Sequence, residues 1–469
     1  MYYLQSRWKI ENQSIYYYGM RKKPDLLKNK IHLSKTERDV LHLLPKELDT
    51  KELKILNRLI KQQIVVEEHS VKQIPQSLDE AVFCKCCAAN TFIIPGLELD
   101  EKGICPICAS KEETQDIKSV LKVLNDPPKS LNSRFDIALF YTGGKDSSYL
   151  LYYLSKVKKL KVLALTWEIP YMSESARMSI ENAKKHLSNV EFVTRQMAEA
   201  DLLKIYHKLY LYERNTCACP SLAYVLFYPE MVNENVPFFV LGNEPVQMLN
   251  LYYNHLAPKY AFSERNHRIM TFFVNILRII TLRKPLHSGQ FESLMTMKQL
   301  AYGDSVIKKI SGYQSDLISH VSMAIKEVPH LLDPLKQAIR RSNWSGKIPA
   351  FIHIDFNEIA GGNYKWEDVK ELIEKEVGWV ASKQLNKGLH TSCNIEKCKE
   401  YSQFINFYEM RSKMIPFSAI EISLASSRLN ITRDQAIREM KTSMGFTLNK
   451  IEECSIMENF LGISKKTSE

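Results

Sequence analysis

The sequence predicts an α/β protein: a doubly wound parallel sheet with an N-terminal winged-helix-like module, a zinc ribbon and a helical insertion. Three observations support this class. From residue 133 onward, short apolar runs alternate with amphipathic segments, which is typical of a parallel sheet covered by helices. Two Cys-x2-Cys pairs precede this part of the chain, and a glycine-rich segment follows its first apolar run.

Hydrophobic periodicity predicts the elements of the sheet. Buried strands are expected in FDIALFYT, KVLALTWE, VEFVTRQ and VPFFVLGN, and helices in SSYLLYYLSKVKK and SARMSIENAKKHLS. A later strand is expected in FIHIDF, and Thr432 is predicted to cap a helix in ITRDQAIREM. Residues 251–345 are predicted to be mainly helical, and core packing is the default explanation for their apolar stripe.

The basic character of the chain is concentrated near its start. Residues 1–75 contain 15 Lys and Arg against 9 Asp and Glu, which gives +6 of the total net charge of +11. Two runs of helical spacing followed by the β-rich IVVEE predict the winged-helix-like module. Nucleic acid or a peptide would suit such a surface, and so would a solvated helical face without a ligand.

Composition indicates an ordinary globular protein, with 45% hydrophobic and 25% charged residues. MYYLQSRWKIENQ lacks the apolar core of a secretory signal, and the longest apolar patch, around Phe272–Ile280, is too short to cross a bilayer. We therefore expect a cytoplasmic protein with no membrane partner. Its ten cysteines are expected to be metal ligands, nucleophiles or buried thiols rather than disulfides.

The segment FCKCCAANTFIIPGLELDEKGICPIC predicts a structural zinc site. Its ligands are expected to be Cys84, Cys87, Cys105 and Cys108, two pairs separated by 17 residues. Cys86 is an alternative partner for Cys87. Four thiolates leave zinc no open coordination position, so this metal is expected to be structural.

The segment YTGGKDSS, residues 141–148, joins the first strand of the sheet to the following helix. Ligands of open parallel sheets bind at the carboxyl ends of strands, where Gly143 and Gly144 allow a close backbone approach. The amino terminus of the next helix attracts an anion. Lys145 adds a positive charge, and hydroxyl groups come from Thr142, Ser147 and Ser148. The segment therefore predicts a phosphate site, although its spacing differs from a Walker loop.

TGGKDS resembles the SGGKDS loop of the PP-loop ATP pyrophosphatases, also called adenine nucleotide α hydrolases. The resemblance implies that ATP binds here and that a substrate oxygen attacks the α-phosphorus, which gives an adenylated intermediate and pyrophosphate. It also implies that the phosphates are held by Thr142, Gly143, Gly144, Lys145 and Ser147, and that Asp146 lies near Mg²⁺. Lys145 and Asp146 are the catalytic residues that it implies.

Polar residues also follow two other predicted strands at the same sheet edge. Thr166 and Glu168 end the second strand, and Gly242 and Asn243 end the fourth. These positions predict nucleotide contacts. A capping role for the first pair and a tight turn at Gly242 are the alternatives.

The order of motifs from 84 to 445 resembles the N-acetyl sugar amidotransferases, a PP-loop subgroup. The motifs are DEKGICPIC, YTGGKDSS, TWEIPYMSESARMSIENA, CACP, VLGNEP, YKWEDVKELIEKEVGW and ITRDQAIREM. The resemblance implies that nitrogen replaces the activated oxygen and that a partner glutaminase supplies ammonia.

Two cysteine pairs leave a second chemistry open. Cys217 and Cys219 precede a predicted helix, whose amino terminus favours thiolates, and Cys393 and Cys398 form a later pair near His390. They are similar to the cysteines of PP-loop thiolases, with Cys217 or Cys219 as sulfur carrier and a sulfur-donor protein as partner. If these four cysteines met in space, they could also bind a metal ion or a cluster, and structural or merely buried thiols are equally compatible. A third hypothesis is a regulator that binds ATP without turnover.

Five regions are expected along the chain. They are the basic winged-helix-like module at 1–75, the four-cysteine zinc ribbon at 80–112, the PP-loop core at 133–250, the helical insertion at 251–345 and a C-terminal part at 346–469 that completes the catalytic domain.

Overall fold

The computed structural model of this chain describes residues 1–21, 30–110, 133–213, 218–242, 245–254, 256, 264–305, 314–382, 392–448, 451 and 454–462. The predicted site residues Cys217 and Asn243 lie outside these ranges, as does His390. Within the ranges, no helix has both the length and the apolar character that crossing a bilayer requires.

The strands in the described ranges are β1 (Tyr2–Leu4), β2 (Trp8–Glu11), β3 (Ser14–Tyr17), β4 (Lys30–His32), β5 (Val65–Glu67), β6 (Ile137–Phe140), β7 (Val162–Trp167), β8 (Val190–Arg195), β9 (Phe238–Leu241) and β10 (Ala350–Phe351).

The helices are α1 (Lys35–Leu41), α2 (Thr50–Lys61), α3 (Pro106–Ala109), α4 (Lys145–Tyr152), α5 (Glu174–His186), α6 (Glu199–Glu213), α7 (Cys219–Asn233), α8 (Pro245–Tyr253), α9 (Glu264–Ile280), α10 (Ser288–Tyr302), α11 (Asp316–Ile325), α12 (Leu332–Ser345), α13 (Phe356–Ile359), α14 (Trp366–Val377), α15 (Glu396–Tyr408), α16 (Phe417–Ser427), α17 (Arg433–Ser443) and α18 (Cys454–Phe460). A π-helical turn, Tyr153–Val157, continues α4, and short 3-10 turns lie at Glu68–Ser70 and Pro329–Leu331.

The chain folds into two compact units. Unit 1 contains Met1–Lys111 and Glu400–Ile451, and unit 2 contains Glu112–Lys399 and Glu452–Glu469. The predicted basic module and zinc ribbon therefore share one unit. The predicted C-terminal part, 346–469, is divided between both units.

Unit 1 begins with a small antiparallel framework. β1 pairs with β5, while β2, β3 and β4 form a three-stranded sheet. α1 and α2 each begin with a capping box, Ser34 with Glu37 and Asp49 with Glu52, because these side chains satisfy backbone N–H groups of the first helical turn. The element order agrees with the expected helices and strand, and the winged-helix-like description stays a prediction.

The cysteine-rich segment packs against a C-terminal helix of the same unit. Arg433 Nε on α17 donates a hydrogen bond to the Cys84 carbonyl oxygen at 3.0 Å. The predicted cap is confirmed, because Thr432 Oγ1 accepts a hydrogen bond from the backbone N–H of Gln435 and a capping box is complete. The helix in ITRDQAIREM therefore supports the ribbon.

Unit 2 is built on a five-stranded parallel sheet in the order β10-β9-β6-β7-β8. Winding along the chain proceeds from β6 through β7 to β8 and then reverses, because β9 lies on the other side of β6. Every residue of β6 and β7 is buried, as expected for central parallel strands. The predicted parallel α/β sheet is confirmed.

Helices cover both faces of this sheet. Phe140 at the end of β6 contacts Tyr224 of α7, with ring centroids 5.4 Å apart. The next residue, Tyr141, donates its hydroxyl to the Ser179 carbonyl oxygen of α5 at 3.3 Å. Successive residues of a strand point to opposite faces, so α5 and α7 lie on opposite sides and the sheet is doubly wound.

The apolar stripe of the helical insertion is only partly explained by core packing, and the expectation is wrong for α9. Phe272, Leu277 and Ile280 on this helix are 62%, 64% and 71% exposed. Arg278 on the same helix is buried. The reason is that α9 packs through its polar side.

Candidate active site and metal centre

The glycine loop lies where the winding of the sheet reverses. β6 ends at Phe140, α4 begins at Lys145 with Gly144 as its N-cap, and β9 ends next to the same turn. A Cβ atom on Gly242, directly after β9, would lie 2.8 Å from the Cα atom of Ser147. The crevice outside the carboxyl ends of β6 and β9 is the position at which doubly wound sheets bind ligands.

Gly143 is required by both its conformation and its surroundings. Its φ is +71°, in the left-handed region that favours glycine, and an added Cβ would lie 2.4 Å from the Ala176 carbonyl oxygen on α5. Any side chain at this position would push the loop away from α5. The loop therefore lies close to the next crossover helix.

Hydroxyl groups within the loop fix its shape. Thr142 Oγ1 accepts a hydrogen bond from the Gly144 N–H at 3.4 Å, and Ser147 Oγ accepts one from the Thr142 N–H at 3.3 Å. Ser147 Oγ also donates to the Gly144 carbonyl oxygen at 3.2 Å. Ser148 is fully buried, with its hydroxyl 3.4 Å from the Tyr141 hydroxyl. Thr142 is exposed, whereas Ser148 supports the loop from the core.

Lys145 is held at the loop by groups distant in sequence. Its Nζ atom donates a hydrogen bond to the Tyr364 hydroxyl at 2.8 Å, lies 2.5 Å from Asp146 Oδ1, and lies 4.9 Å from the ring centroid of Trp366. Asp146 Oδ2 accepts a hydrogen bond from Gln247 Nε2 at 3.2 Å. The contacts keep an ammonium group and a carboxylate beside the first turn of α4.

Three of these neighbours were missed by sequence reasoning. Tyr364 and Trp366 lie more than 200 residues after the loop, and Gln247 lies on α8. The signal that could have found the first two is GGNYKW, in which two aromatic residues lie within four positions after a pair of glycines. Nothing in the spacing of that segment connects it to the glycine loop, because the sheet topology makes the connection.

The other predicted nucleotide contacts are engaged with protein groups. Thr166 is buried and donates its hydroxyl to the Tyr141 carbonyl oxygen at 2.9 Å, which ties the ends of β6 and β7 together. Glu168 forms an ion pair with Arg177 and accepts a hydrogen bond from Gln196 Nε2 at 2.8 Å. This hydrogen bond gives Thr166 a structural role, while Glu168 is partly exposed at the sheet edge.

A segment from residues 392–394 pairs beside the glycine loop. Ser392 accepts a hydrogen bond from the Ser173 N–H at 3.0 Å through its carbonyl oxygen. Met172 and Cys393 form an antiparallel bridge. The Ser392 Cβ atom lies 3.9 Å from the point that a Cβ on Gly144 would occupy. Cys393 therefore directly follows, in sequence, a residue that borders the glycine loop.

Two of the four cysteines of unit 2 singled out by the sequence interact. Burial raises the pKa of the Cys393 thiol, and the proximity of Cys219 raises it further. Cys219 is half-buried at the start of α7, and Cys398 is buried on α15. The structure therefore brings Cys219 toward Cys393.

The four cysteines of the ribbon form a compact cluster. The Sγ atoms of Cys84, Cys87, Cys105 and Cys108 all lie within 4.8 Å of one another. The Cys84–Cys108 and Cys87–Cys105 Sγ distances are 3.9 Å and 3.5 Å. Sulfur ligands 2.3 Å from a tetrahedral zinc ion are about 3.8 Å apart, so the cluster has the dimensions for one such ion.

The structure also decides between Cys84 and Cys86. Cys86 is exposed, and its backbone N–H donates to Cys84 Sγ at 3.4 Å. Cys84 Sγ instead lies in the cluster with the sulfur atoms of Cys87, Cys105 and Cys108. Gly103, with a φ of +78°, forms the turn before the second pair.

Comparison with known proteins gives distant similarity to solved structures. The chain matches no protein-family model and no curated protein. It is similar to the U34-tRNA thiolase NcsA from Methanococcus maripaludis with its [4Fe-4S] cluster, at 12% identity and a TM-score of 0.23, over 64% of this chain and 90% of that chain. A TM-score this low defines neither the activity nor the ligands of this chain.

The fit of Gly143 against α5 can be tested with alanine. Gly143→Ala is expected to destabilise the protein by about 3 kcal/mol or more, because left-handed strain adds to a backbone clash. Gly361→Ala is the matched control, since Gly361 has a φ of +67° and an added Cβ would meet nothing within 4 Å. It should cost about 1 kcal/mol. Equal losses of unfolding free energy for Gly143→Ala and Gly361→Ala, measured by urea denaturation, would show that the clash does not exist.

The metal centre predicts one zinc ion per chain by elemental analysis. Cys87→Ser should lose the ion and destabilise the protein by on the order of 4 kcal/mol, because a structural metal contributes to folding free energy. Cys86→Ser, an exposed neighbour outside the cluster, should retain both metal and stability. Metal retained by Cys87→Ser but lost from Cys86→Ser would contradict the assignment.

Proposed function

We propose that this chain is an ATP-dependent enzyme of the PP-loop type, which adenylates a carbonyl oxygen of an acceptor so that nitrogen can replace it. The observation that carries the proposal is the position of the TGGKDS loop. It lies at the carboxyl end of β6, where the sheet reverses its winding, with Lys145 and Asp146 held beside it. This combination suits a triphosphate better than a turn without a ligand.

The residues of the loop have complementary roles in this proposal. The amino terminus of α4 and the exposed Thr142 hydroxyl would face the phosphates, while Lys145 would neutralise charge that develops on pyrophosphate. Asp146 offers a carboxylate to Mg²⁺, whose remaining ligands would be phosphate oxygens and water. Tyr364 and Trp366 are positioning residues, because they restrict the Lys145 ammonium group without being part of the loop.

The proposed reaction has two steps. The acceptor carbonyl oxygen attacks the α-phosphorus of ATP, the bond from that phosphorus to the bridging oxygen breaks, and pyrophosphate leaves. Ammonia then attacks the activated carbon, AMP departs with the former carbonyl oxygen, and nitrogen loses a proton. Adenylation makes the oxygen a good leaving group, which an amide or carboxylate oxygen is not.

The acceptor and donor belong to the same proposal. A sugar acetamido or carboxamide group is the acceptor class suggested by the amidotransferase resemblance, and a separate glutaminase would supply ammonia. The basic surface of residues 1–75 would suit an acidic acceptor or partner. Acceptor class can be identified by following pyrophosphate release from ATP in the presence of glycan, peptide and tRNA fractions.

Pyrophosphate release should depend on the loop. Lys145→Ala and Asp146→Ala are each expected to lower the rate by about 100-fold or more, because each removes an interaction with charge that develops at the phosphates. Lys161→Ala is the matched control, since this exposed lysine precedes β7 at the opposite end of the strands.

Folding of each variant is checked by thermal denaturation. Turnover that survives in both loop variants would exclude the proposed chemistry, and ATP binding without turnover in the wild type would indicate a regulator.

A second candidate shares the adenylation step but uses sulfur as the nucleophile. The observation that favours it is the position of Cys393, whose segment pairs beside the glycine loop and whose pKa is raised in part by Cys219. Thiols at this edge would be close to an activated acceptor. In this candidate, a sulfur-donor protein that bears a persulfide transfers its outer sulfur to Cys219 or Cys393 and keeps a thiol. The resulting persulfide attacks the adenylated carbon and AMP leaves. The other cysteine then attacks the carrier sulfur, which releases the thiolated acceptor and forms a disulfide that external thiols reduce.

Serine variants distinguish the two nucleophiles. If sulfur is transferred, Cys219→Ser and Cys393→Ser should retain pyrophosphate release with the active acceptor fraction but lose incorporation of the sulfur labelled on the donor persulfide. Cys86→Ser, in the other unit, should behave as the wild type. Incorporation of labelled ammonium with full activity in both variants would remove the sulfur candidate.

A further inference from the structure

One face of α9 exposes a continuous row of large apolar side chains. Its members, with the residue that follows the helix, are Ile269, Phe272, Phe273, Ile276, Leu277, Ile279, Ile280 and Leu282. At 100° per residue the seven helical members span an arc of roughly 160°. We call this set the α9 apolar face. Isolated exposed apolar residues are ordinary, but a contiguous set of this size marks an interaction surface.

The opposite side of α9 carries polar side chains that are hydrogen-bonded within unit 2, whereas the buried Thr271 Oγ1 has no hydrogen-bond partner among the described residues. Arg278 is buried and donates from Nε to the Lys284 carbonyl oxygen at 2.6 Å and from Nη1 to Asn343 Oδ1 at 2.6 Å. Asn275 donates to the Leu286 carbonyl oxygen at 2.8 Å and accepts from the Leu286 N–H at 2.7 Å.

These bonds fix the rotation of the helix. Rolling the α9 apolar face inward would break them and leave buried polar groups without partners, which is costly. An ordinary surface helix turns its apolar face toward the core, so α9 has the reverse orientation. The outward face is therefore suited to an apolar environment outside this unit.

Basic residues predominate around the face, although α9 itself begins with an acidic residue, Glu264. No Asp or Glu occurs between residues 265 and 291. Arg265 and Arg268 lie in the first turns of α9, and Arg283 and Lys284 follow Leu282, which is 95% exposed. All four basic residues are exposed. The face therefore presents apolar side chains between two pairs of positive charges.

We propose that the α9 apolar face binds the interface of a membrane that contains anionic lipid. A lipid surface offers apolar acyl chains and negative headgroups together, which matches the two features of α9. A second copy of this chain is less suitable, because antiparallel pairing of two such faces would bring basic ends together. This mode lies on the membrane surface without spanning it, and it replaces the sequence-based expectation of no membrane partner.

The proposal is tested with the full chain and sedimented vesicles. One set contains phosphatidylcholine with an equal share of phosphatidylserine, and the other contains phosphatidylcholine alone. The wild type should sediment with the first set and about tenfold or more weakly with the second, and added salt should weaken the binding.

Leu277→Glu should reduce binding to the anionic vesicles by about tenfold or more, because it places a charge on the α9 apolar face, which the lipid would bury. Leu211→Glu is the matched control. Leu211 is also a helical leucine, and it is 67% exposed against 64% for Leu277. It should bind as the wild type does.

Charge is tested separately by Arg265→Gln combined with Arg283→Gln. This variant should lose affinity for the anionic vesicles by about tenfold or more while its weak binding to phosphatidylcholine stays the same.

Thermal denaturation checks that each variant is folded. Wild-type protein that does not sediment with anionic vesicles would overturn the proposal, as would equal losses for Leu277→Glu and Leu211→Glu. Dimerisation that Leu277→Glu abolishes, without vesicle binding, would assign the face to a second copy instead.

Discussion

The close approach of the glycine loop to α5 is the constraint on which the candidate active site depends. Gly143 can adopt a φ of +71° beside the Ala176 carbonyl oxygen only because it has no side chain. This approach holds the start of α4 next to the ends of β6 and β9. The same packing determines where Lys145 and Asp146 project. A displacement of the loop would separate these groups from the crevice without altering the sheet itself.

The site is assembled from parts that are distant along the chain. The loop supplies the backbone groups and hydroxyls, the segment around Tyr364 restrains the lysine, and residues 392–394 border the opposite side of the loop. All three belong to unit 2. Adenylation requires little more than such positioning, because charge stabilisation and alignment supply much of the rate enhancement in reactions of this kind. The four-cysteine cluster of unit 1 would leave a bound metal ion no open coordination position, so a metal held there would contribute stability.

Local signals allowed several features to be predicted from the sequence. The apolar runs of β6 and β7, the cap at Thr432 and the four ribbon cysteines each depend on neighbouring residues or fixed spacing. Tyr364, Trp366 and Gln247 could not be predicted, because only the three-dimensional fold brings them to Lys145. The exposed face of α9 was misinterpreted for a related reason. Periodicity finds an apolar stripe, but the buried hydrogen bonds of Arg278 and Asn275 decide which side of the helix faces outward.

The proposed chemistry requires a nucleoside triphosphate that binds with its phosphates against the loop formed by residues 141–148. A crystal structure of the full chain with Mg²⁺ and a non-hydrolysable ATP analogue would show whether it does. Phosphate oxygens are expected within hydrogen-bonding distance of the loop N–H groups and of Lys145 Nζ, with the metal ion at Asp146. An analogue bound elsewhere, with Lys145 still contacting Tyr364 and Asp146 across an empty loop, would contradict it.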